Sequence, residues 1–158
     1  MKQYIGSKIV KAWPCYRIPF IGSRYEYCKL DEVVPTCITG KIEDGYRIQY
    51  EDGYLSWSPK AVFEKAYRET TGLSFGLAIE AMKKGLKVAR HGWNGKGMFL
   101  YYVPAGAYPP STEVAKAAFH GEKVPYGAYI AMKTAQGNVV PWIASQADML
   151  ADDWQIVE

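Results

Sequence analysis

Three glycine-containing turns, each between two short apolar segments, constrain the fold of this chain more than any other feature of its sequence. Asn94-Gly95 is the strongest, because a two-residue Asn-Gly loop matches the right-handed twist of a β-hairpin. Glu51-Asp52-Gly53 and Ala135-Gln136-Gly137 are similar turns. The predicted strand pairs are 45–50 with 53–57, 86–93 with 98–103, and 126–134 with 138–143. Such local pairing predicts antiparallel sheets.

Residues 1–70 are predicted to form a small β-rich module closed by one helix. Residues 8–13 alternate polar and apolar side chains, which indicates a further strand. Ser58-Pro59 has the residue types of an N-cap and a first helical position, so we expect a helix over 59–68. Between residues 14 and 40 the pattern is weak, and we expect a loop with at most one strand. The apolar stripe of the helix would contain Val62, Phe63, Ala66 and Tyr67.

Residues 71–158 are predicted to form a second domain of α+β class. The polar segment 69–72 marks the boundary. A short amphipathic helix is expected after Ser74, with Ser74 as its cap and Gly85 at its end. The domain should therefore be an antiparallel sheet with short helices packed on it. Its remaining elements are a capped helix at 111–119, a capping box at 145–148 and a closing strand at 154–157.

The composition predicts a globular protein without a membrane anchor. The chain has 158 residues, 49% of them apolar, which is enough to bury a core. Apolar runs such as 98–103 are far shorter than the ~20 residues that a spanning helix needs. Residues 1–13 lack the apolar centre of a secretory signal, so we expect a cytosolic protein. The cysteines are odd in number and lack metal-ligand spacing, so we expect free thiols and no metal at Cys15, Cys28 and Cys37.

Charge is evenly divided along the chain. Residues 1–70 carry 11 basic and 9 acidic side chains, and residues 71–158 carry 8 and 7. Neither part predicts a surface for a nucleic-acid polymer by charge alone. Aromatic residues make up 15% of the chain, a bias that suits a flat, phosphate-bearing small molecule but is also ordinary in cores and interfaces.

The stretch RHGWNGKGMFLYYV, residues 90–103, invites a comparison with nucleotide-binding loops. Gly95-Lys96 is followed by Gly97 and a strand, whereas a phosphate-binding loop needs Ser or Thr there and a helix. The glycines are therefore interpreted as hairpin residues. Arg90 and Trp93 lie three apart, on opposite faces of a regular strand unless Gly92 bulges it. They either line a pocket, or Trp93 packs on the sheet and Arg90 forms a surface salt bridge.

The segment PWIASQAD, residues 141–148, is a second candidate. Trp142 precedes a capped helix N-terminus, which places a stacking surface beside amides that favour anions. Ser145, Gln146 and Asp148 would then bind ribose hydroxyls or an adenine edge. Alternatively, Ser145 and Asp148 only cap their own helix.

Catalysis has little support in the sequence. His91 and His120 have no nucleophile beside them, and the adjacent carboxylates Asp152 and Asp153 point apart on a regular element. We expect neither enzymatic activity nor a cofactor.

Two segments together resemble a known family: SFGLAIEAMKKGLKVARHGWNGKGMFLYYV and YIAMKTAQGNVVPWIASQADMLADDWQIVE. Their paired motifs R-x-GW-NGKG and M-K-TA-x-G-x-V-PW-x-ASQ-x-DMLA-x-DW resemble the second Thoeris anti-defence family of phages and prophages over residues 73–158. The first 70 residues, ending GY-x-SWSPK-x-VFE-x-AYR, resemble a module often fused to it, which has no assigned activity.

The resemblance implies a sponge, not an enzyme. Members form homo-oligomers, often tetramers, that sequester cyclic ADP-ribose isomers made by TIR-domain enzymes in the cytoplasm of the infected bacterial host. Some relatives also bind cyclic di- or trinucleotides at separate sites, which this sequence neither supports nor excludes. The open alternatives are a nucleotide-processing enzyme and a phage structural or protein-interaction module.

With such a ligand, the motif positions would take distinct roles. Adenine would stack on Trp93 or Trp142, and the pyrophosphate would meet Arg90 and the amides at Ser145. A sponge must outcompete its receptor, so we expect nanomolar affinity, about 12 kcal/mol, in a pocket enclosed between subunits. The residues expected to bind ribose hydroxyls are Asn94, Gln146 and Asp148.

Overall fold

The computed structural model describes residues 8–20, 24–32, 40–93 and 97–157. The chain divides into two compact units, residues 1–68 and 69–158. Each unit combines antiparallel strands with short helices, which confirms the predicted α+β class.

The first unit is a four-stranded antiparallel sheet with one helix. Its order is β2-β1-β3-β4, and Ile18, Cys28 and Ile48 are buried in its core. The predicted hairpin at residues 51–53 is confirmed, with Gly53 at φ 84° between β3 and β4. The elements are β1 (Lys11–Phe20), β2 (Arg24–Lys29), β3 (Glu43–Gln49), β4 (Leu55–Pro59) and α1 (Lys60–Ala66).

The expectation of a loop was wrong for residues 14–20, because β1 extends to Phe20, whereas β2 is the one strand that the expectation allowed between residues 14 and 40. Two prolines weaken the strand pattern here, yet both lie where β1 has a single neighbour. Pro14 pairs with β3 before the pairing with β2 begins at Cys15, and Pro19 pairs with β2 after the pairing with β3 ends at Arg17. A proline lacks the amide hydrogen that a second neighbour requires, so only these positions tolerate it.

The expected cap and stripe of α1 also need correction. Ser58 belongs to β4, opposite Tyr46, and Pro59 is the N-cap without a side-chain capping bond. Phe63 and Tyr67 do face inward: the ring of Phe63 stacks 4.3 Å from that of Tyr46 and 4.7 Å from that of Tyr67. Val62 and Ala66 are exposed. The helix has only seven residues, about two turns, so it directs one apolar pair, Phe63 and Tyr67, toward the sheet.

The second unit is a five-stranded antiparallel sheet of order β10-β9-β6-β5-β11, with α2 packed on one face. The predicted hairpin about residues 135–137 and the closing strand are confirmed. The elements are α2 (Phe75–Lys83), β5 (Lys87–Arg90), β6 (Phe99–Val103), β7 (Gly106–Tyr108), α3 (Glu113–Ala118), β8 (Val124–Tyr126), β9 (Tyr129–Lys133), β10 (Val139–Pro141), α4 (Gln146–Met149) and β11 (Trp154–Val157).

Helix α2 supplies much of the second core. Its end at Gly85 is confirmed: Gly85 has φ 85°, and the amides of Gly85 and Leu86 donate to Met82 and Ala81, which is a Schellman motif. Ser74 is the N-cap residue as predicted, but its side chain forms no capping bond. The buried cluster contains Leu73, Ala78, Ala81, Met82, Val88, Leu100 and Trp154.

Other boundaries differ from the sequence prediction. Strand β5 ends at Arg90 and β6 begins at Phe99, so the connection is longer than a two-residue loop. The predicted Asn94-Gly95 turn lies outside the described residues. The cap of α3 is Thr112, whose side chain accepts from the amide of Ala115. Strands β7 and β8 form a separate small sheet that sequence patterning missed, because each has only three residues.

Candidate functional site

Trp154 lies at the centre of a group of aromatic rings in the second unit. It begins β11, and it is fully buried, with 0% of its surface exposed. Its indole N–H donates a 3.0 Å hydrogen bond to the main-chain oxygen of Asp148. The ring centroids of Phe75, Trp93 and Trp142 lie 5.5, 5.6 and 6.0 Å from that of Trp154. These four residues are the aromatic cluster.

The outer rings of the aromatic cluster come from three different elements. Phe75 begins α2, Trp142 follows β10, and Trp93 follows β5. The amide of Trp93 donates to the oxygen of Arg90 at 3.3 Å, which closes a turn. Because β5 ends in this turn, side chains no longer alternate between the two faces of the sheet, and Arg90 and Trp93 are not held on opposite sides. Both side chains contact Trp154 instead.

Arg90 connects β5 to α4 and to the residue before β11. Its Nε donates to Asp153 Oδ1, and its Nη1 donates to Asp148 Oδ1 at 2.9 Å. Its guanidinium carbon lies 5.8 Å from the ring centroid of Trp154. The hydrogen bonds to Asp153 and Asp148 raise the pKa of Arg90, so the guanidinium stays charged. One cation thus holds two carboxylates against the buried tryptophan.

The capping box predicted at the start of α4 is confirmed. The amide of Asp148 donates to Ser145 Oγ at 3.2 Å, and Asp148 Oδ2 accepts from the amide of Ser145 at 3.0 Å and from its hydroxyl at 2.6 Å. Burial would raise the pKa of Asp148, but the hydrogen bonds from Ser145 and Arg90 outweigh burial and hold that pKa below its usual value. The carboxylate therefore stays ionised, and it both caps α4 and pairs with Arg90.

The structure brings five of the predicted site residues to one place. Trp93 and Trp142 are half-buried, with ring centroids 6.3 Å apart and planes inclined by 59°. Gln146 begins α4 and is exposed, whereas Asn94 lies outside the described residues. The residues gathered around Trp154 are Arg90, Trp93, Trp142, Ser145 and Asp148.

Groups of the protein itself already occupy two of the donors that we expected to contact an anion. The amides of Ser145 and Asp148, which we expected to face a ligand, are satisfied by the capping box. The α4 helix has only four residues, so its dipole is small. The guanidinium of Arg90 already forms ion pairs with two carboxylates. A pyrophosphate would therefore bind an arginine that is part of this network and not a free cation.

Sequence reasoning missed three residues that hold the site together. Trp154 was predicted only as part of a strand, Phe75 only as a helix residue, and Asp153 only as half of an acidic pair. A local signal for Trp154 and Asp153 did exist in their dipeptide: a carboxylate beside a buried aromatic residue requires a cationic partner. That partner, Arg90, is 63 residues away from Asp153.

Two further properties concern metals and membranes. Among the described residues, no three His, Cys, Asp or Glu side chains are grouped as metal ligands. None of the helices within the described ranges is long and apolar enough to cross a membrane.

Comparison with known proteins identifies the class of the second unit. A Thoeris anti-defense 2-like domain matches residues 73–157, which contain every residue of the site just described. The chain is also 41% identical over 87 residues to Thoeris anti-defense 2 of Bacillus phage SP01, covering 55% of this chain and 97% of that protein. The chain therefore belongs to the Thoeris anti-defense 2-like family.

Proposed function

We propose that the second unit is a phage anti-defence sponge, which binds cyclic ADP-ribose-type signals without cleaving them and so keeps the downstream effector inactive. The observation that carries this proposal is the half-buried pair Trp93 and Trp142 on a buried Trp154, inside the region that matches the anti-defense family. Rigid aromatic rings held by a core give stacking area at small entropic cost. The protein would act in the cytoplasm of the infected bacterial host.

The ring geometry restricts how adenine would bind. Two rings clamp a base only when they are parallel and about 7 Å apart, since stacked atoms lie about 3.5 Å from each other. Trp93 and Trp142 are closer than this and inclined by 59°. The base would therefore stack on the outer face of one tryptophan, with the other ring against its edge.

Polar contacts would come from the network around Arg90. The hydrogen bonds that join Arg90 to Asp148 and Asp153 use Nε and Nη1. We therefore assign Nη2 as the donor to a pyrophosphate oxygen, with Arg90 oriented by its carboxylates. Asn94 and Gln146 would bind ribose hydroxyls, and Asp148 would act through Arg90 and the cap of α4.

Exposed apolar residues next to the site support assembly into a homo-oligomer, for which we propose a tetramer. Ile143 and Leu150 are 90% and 82% exposed, and Val139 and Met149 are exposed as well. Val139 precedes the segment from Trp142 to Asp148, Ile143 lies within it, and Met149 and Leu150 follow it. Exposed apolar residues gathered near a site in this way are typical of interaction surfaces. A second copy covering them would enclose the ligand and supply the buried area that nanomolar binding requires.

Isothermal titration of the full chain with glyco-cyclic ADP-ribose tests this function. We expect nanomolar binding of the cyclic ligand and none of NAD or plain ADP-ribose. The ligand recovered after heat denaturation of the protein should be intact. Degraded ligand would indicate an enzyme, and absence of binding would refute the sponge.

Substitution of one site tryptophan localises the binding. Trp93→Leu should weaken binding of glyco-cyclic ADP-ribose by at least about fivefold, because it removes a stacking face worth roughly 1–3 kcal/mol. Trp13→Leu removes a half-buried tryptophan from the first unit and should leave the affinity unchanged. Equal losses in both variants would contradict the assignment of the site.

A further inference from the structure

The sheet of the first unit has two chemically different faces. Ile18, Cys28 and Ile48 are buried on one face, where Tyr46 stacks on Phe63 of α1, whereas Cys15 is buried on the other. Side chains alternate along a strand, so the neighbouring residues point to the other face. That second face carries Arg17, Tyr25, Tyr27, Arg47 and Trp57, which we name the arginine–aromatic face.

The arginines of this face are stacked on its rings. The guanidinium carbon of Arg17 lies 4.6 Å from the ring centroid of Tyr25 and 4.1 Å from that of Trp57. Arg47 lies 4.1 Å from the ring of Tyr27. Cation–π contact and the ion pair of Arg17 with Glu43 hold these flat groups in place.

Gly45 shows that Trp57 lies across the sheet. A Cβ atom at Gly45 would be 2.5 Å from Cζ2 of the Trp57 indole, so the ring covers the backbone where a side chain would otherwise stand. The arginine–aromatic face is therefore a platform of flat groups. Tyr25 and Tyr27 remain 49% and 39% exposed on it.

Positive charge is concentrated on the same face. Its strand positions carry Lys11, Arg17, Lys29 and Arg47 against the single carboxylate of Glu43. The strand positions of the helix-covered face carry Arg24, Glu26 and Asp44. The even charge along the sequence thus becomes uneven in space.

We propose that the arginine–aromatic face binds single-stranded nucleic acid. Tyr25 and Tyr27 are two residues apart on one strand, so their positions are about 7 Å apart along it and each ring can stack one base. Lys11, Lys29 and the arginines meet the phosphates between the bases. An acidic peptide would use the cations alone and would leave the exposed rings without a role, so charge and rings together favour a nucleic acid.

Fluorescence anisotropy of the full chain with labelled 15-nucleotide oligodeoxythymidine and oligouridine tests the proposal and separates DNA from RNA. Tyr27→Leu should weaken binding at least about fivefold, and Arg47→Gln should lower the slope of log affinity against log salt by about 0.7. Lys65→Gln removes an exposed cation from α1 and should leave affinity and slope unchanged. Melting midpoints equal to that of the parent would show that the variants are folded.

The proposal would be overturned by three results. These are no binding to either oligonucleotide, equal weakening by Tyr27→Leu and Lys65→Gln, and a polyglutamate peptide that binds as tightly as the oligonucleotides. None of them bears on capture of cyclic ADP-ribose by the second unit.

Discussion

At the scale of single residues, Asp148 and Gly45 show how much depends on close neighbours. Asp148 accepts from Ser145 on one oxygen and from Arg90 on the other. Gly45 has a backbone covered by the Trp57 ring. Asp148 is required because both of its oxygens accept hydrogen bonds, and Gly45 because a larger residue would overlap Trp57. A substitution at either position should therefore change the stability of the chain.

Asp148→Asn should destabilise the chain by about 1–2 kcal/mol at pH 7, since it weakens the cap and removes the charge facing Arg90. The folded-state pKa of Asp148 lies below the ordinary 3.8, so its contribution is complete above that pH and is lost as the pH falls through the lower folded value. The difference in urea midpoint between parent and variant should therefore shrink below about pH 4. Asp152→Asn, at an exposed neighbour, is the control, and a difference independent of pH would contradict the assignment.

Gly45→Ala should cost about 1–3 kcal/mol or more, because the added methyl group overlaps the Trp57 ring and the main chain of Ser58. Gly76→Ala makes the same chemical change in α2, where nothing lies within 4 Å of the new methyl group. It should stabilise the chain by about 0.5–1 kcal/mol. Denaturant unfolding measures both, and changes of the same sign would refute this reading of the packing.

At the scale of elements, hydrogen bonds separate the helix starts that look alike in sequence. Ser74 and Ser145 both precede helices, yet only Ser145 forms a capping bond. A capping bond depends on the rotamer of the serine, which the residue types of the segment do not specify. Sequence patterning therefore located both helix starts but did not identify the stabilising serine.

Ser145→Ala should therefore destabilise the second unit by about 1 kcal/mol, the usual cost of losing an N-cap hydroxyl. Ser74→Ala should change stability by a few tenths of a kcal/mol at most, since no capping bond is lost. Thermal unfolding at neutral pH compares the two variants. A larger loss from Ser74→Ala would mean that the hydrogen bonds at these helix starts are assigned incorrectly.

At the scale of the whole molecule, the two units have separate cores. Ile18 and Ile48 belong to the first, whereas Leu100 and Trp154 belong to the second. The 87 matched residues cover 97% of the length of the phage relative. From that correspondence we expect the second unit to fold without the first.

A fragment of residues 69–158 should thus fold cooperatively and bind glyco-cyclic ADP-ribose within about twofold of the full chain, a difference below 0.5 kcal/mol. Circular dichroism checks the fold and calorimetry the affinity. The fragment should lose binding to oligodeoxythymidine, because the arginine–aromatic face is absent. Loss of cyclic-nucleotide capture would place part of that site in the first unit.

The sequence alone determined features that depend on residues close in the chain. Hairpin turns at 51–53 and 135–137, the end of α2 at Gly85 and the capping box of Ser145 were predictable, because each involves a few consecutive residues and one backbone geometry. The loop expected to begin at residue 14 was wrong over 14–20, because the tolerance of a strand for Pro14 and Pro19 depends on where its neighbours end.

Only the tertiary structure decided which distant groups meet. Arg90 reaches Asp148 and Asp153 across 58 and 63 residues, and the turn at Trp93 brings this ring to Trp154. The pairing of the strands also placed Lys11, Arg17, Lys29 and Arg47 on one face of the first sheet. Local sequence specifies the direction of each side chain within its own strand or helix, but the partner it meets depends on strand order and on where each strand stops.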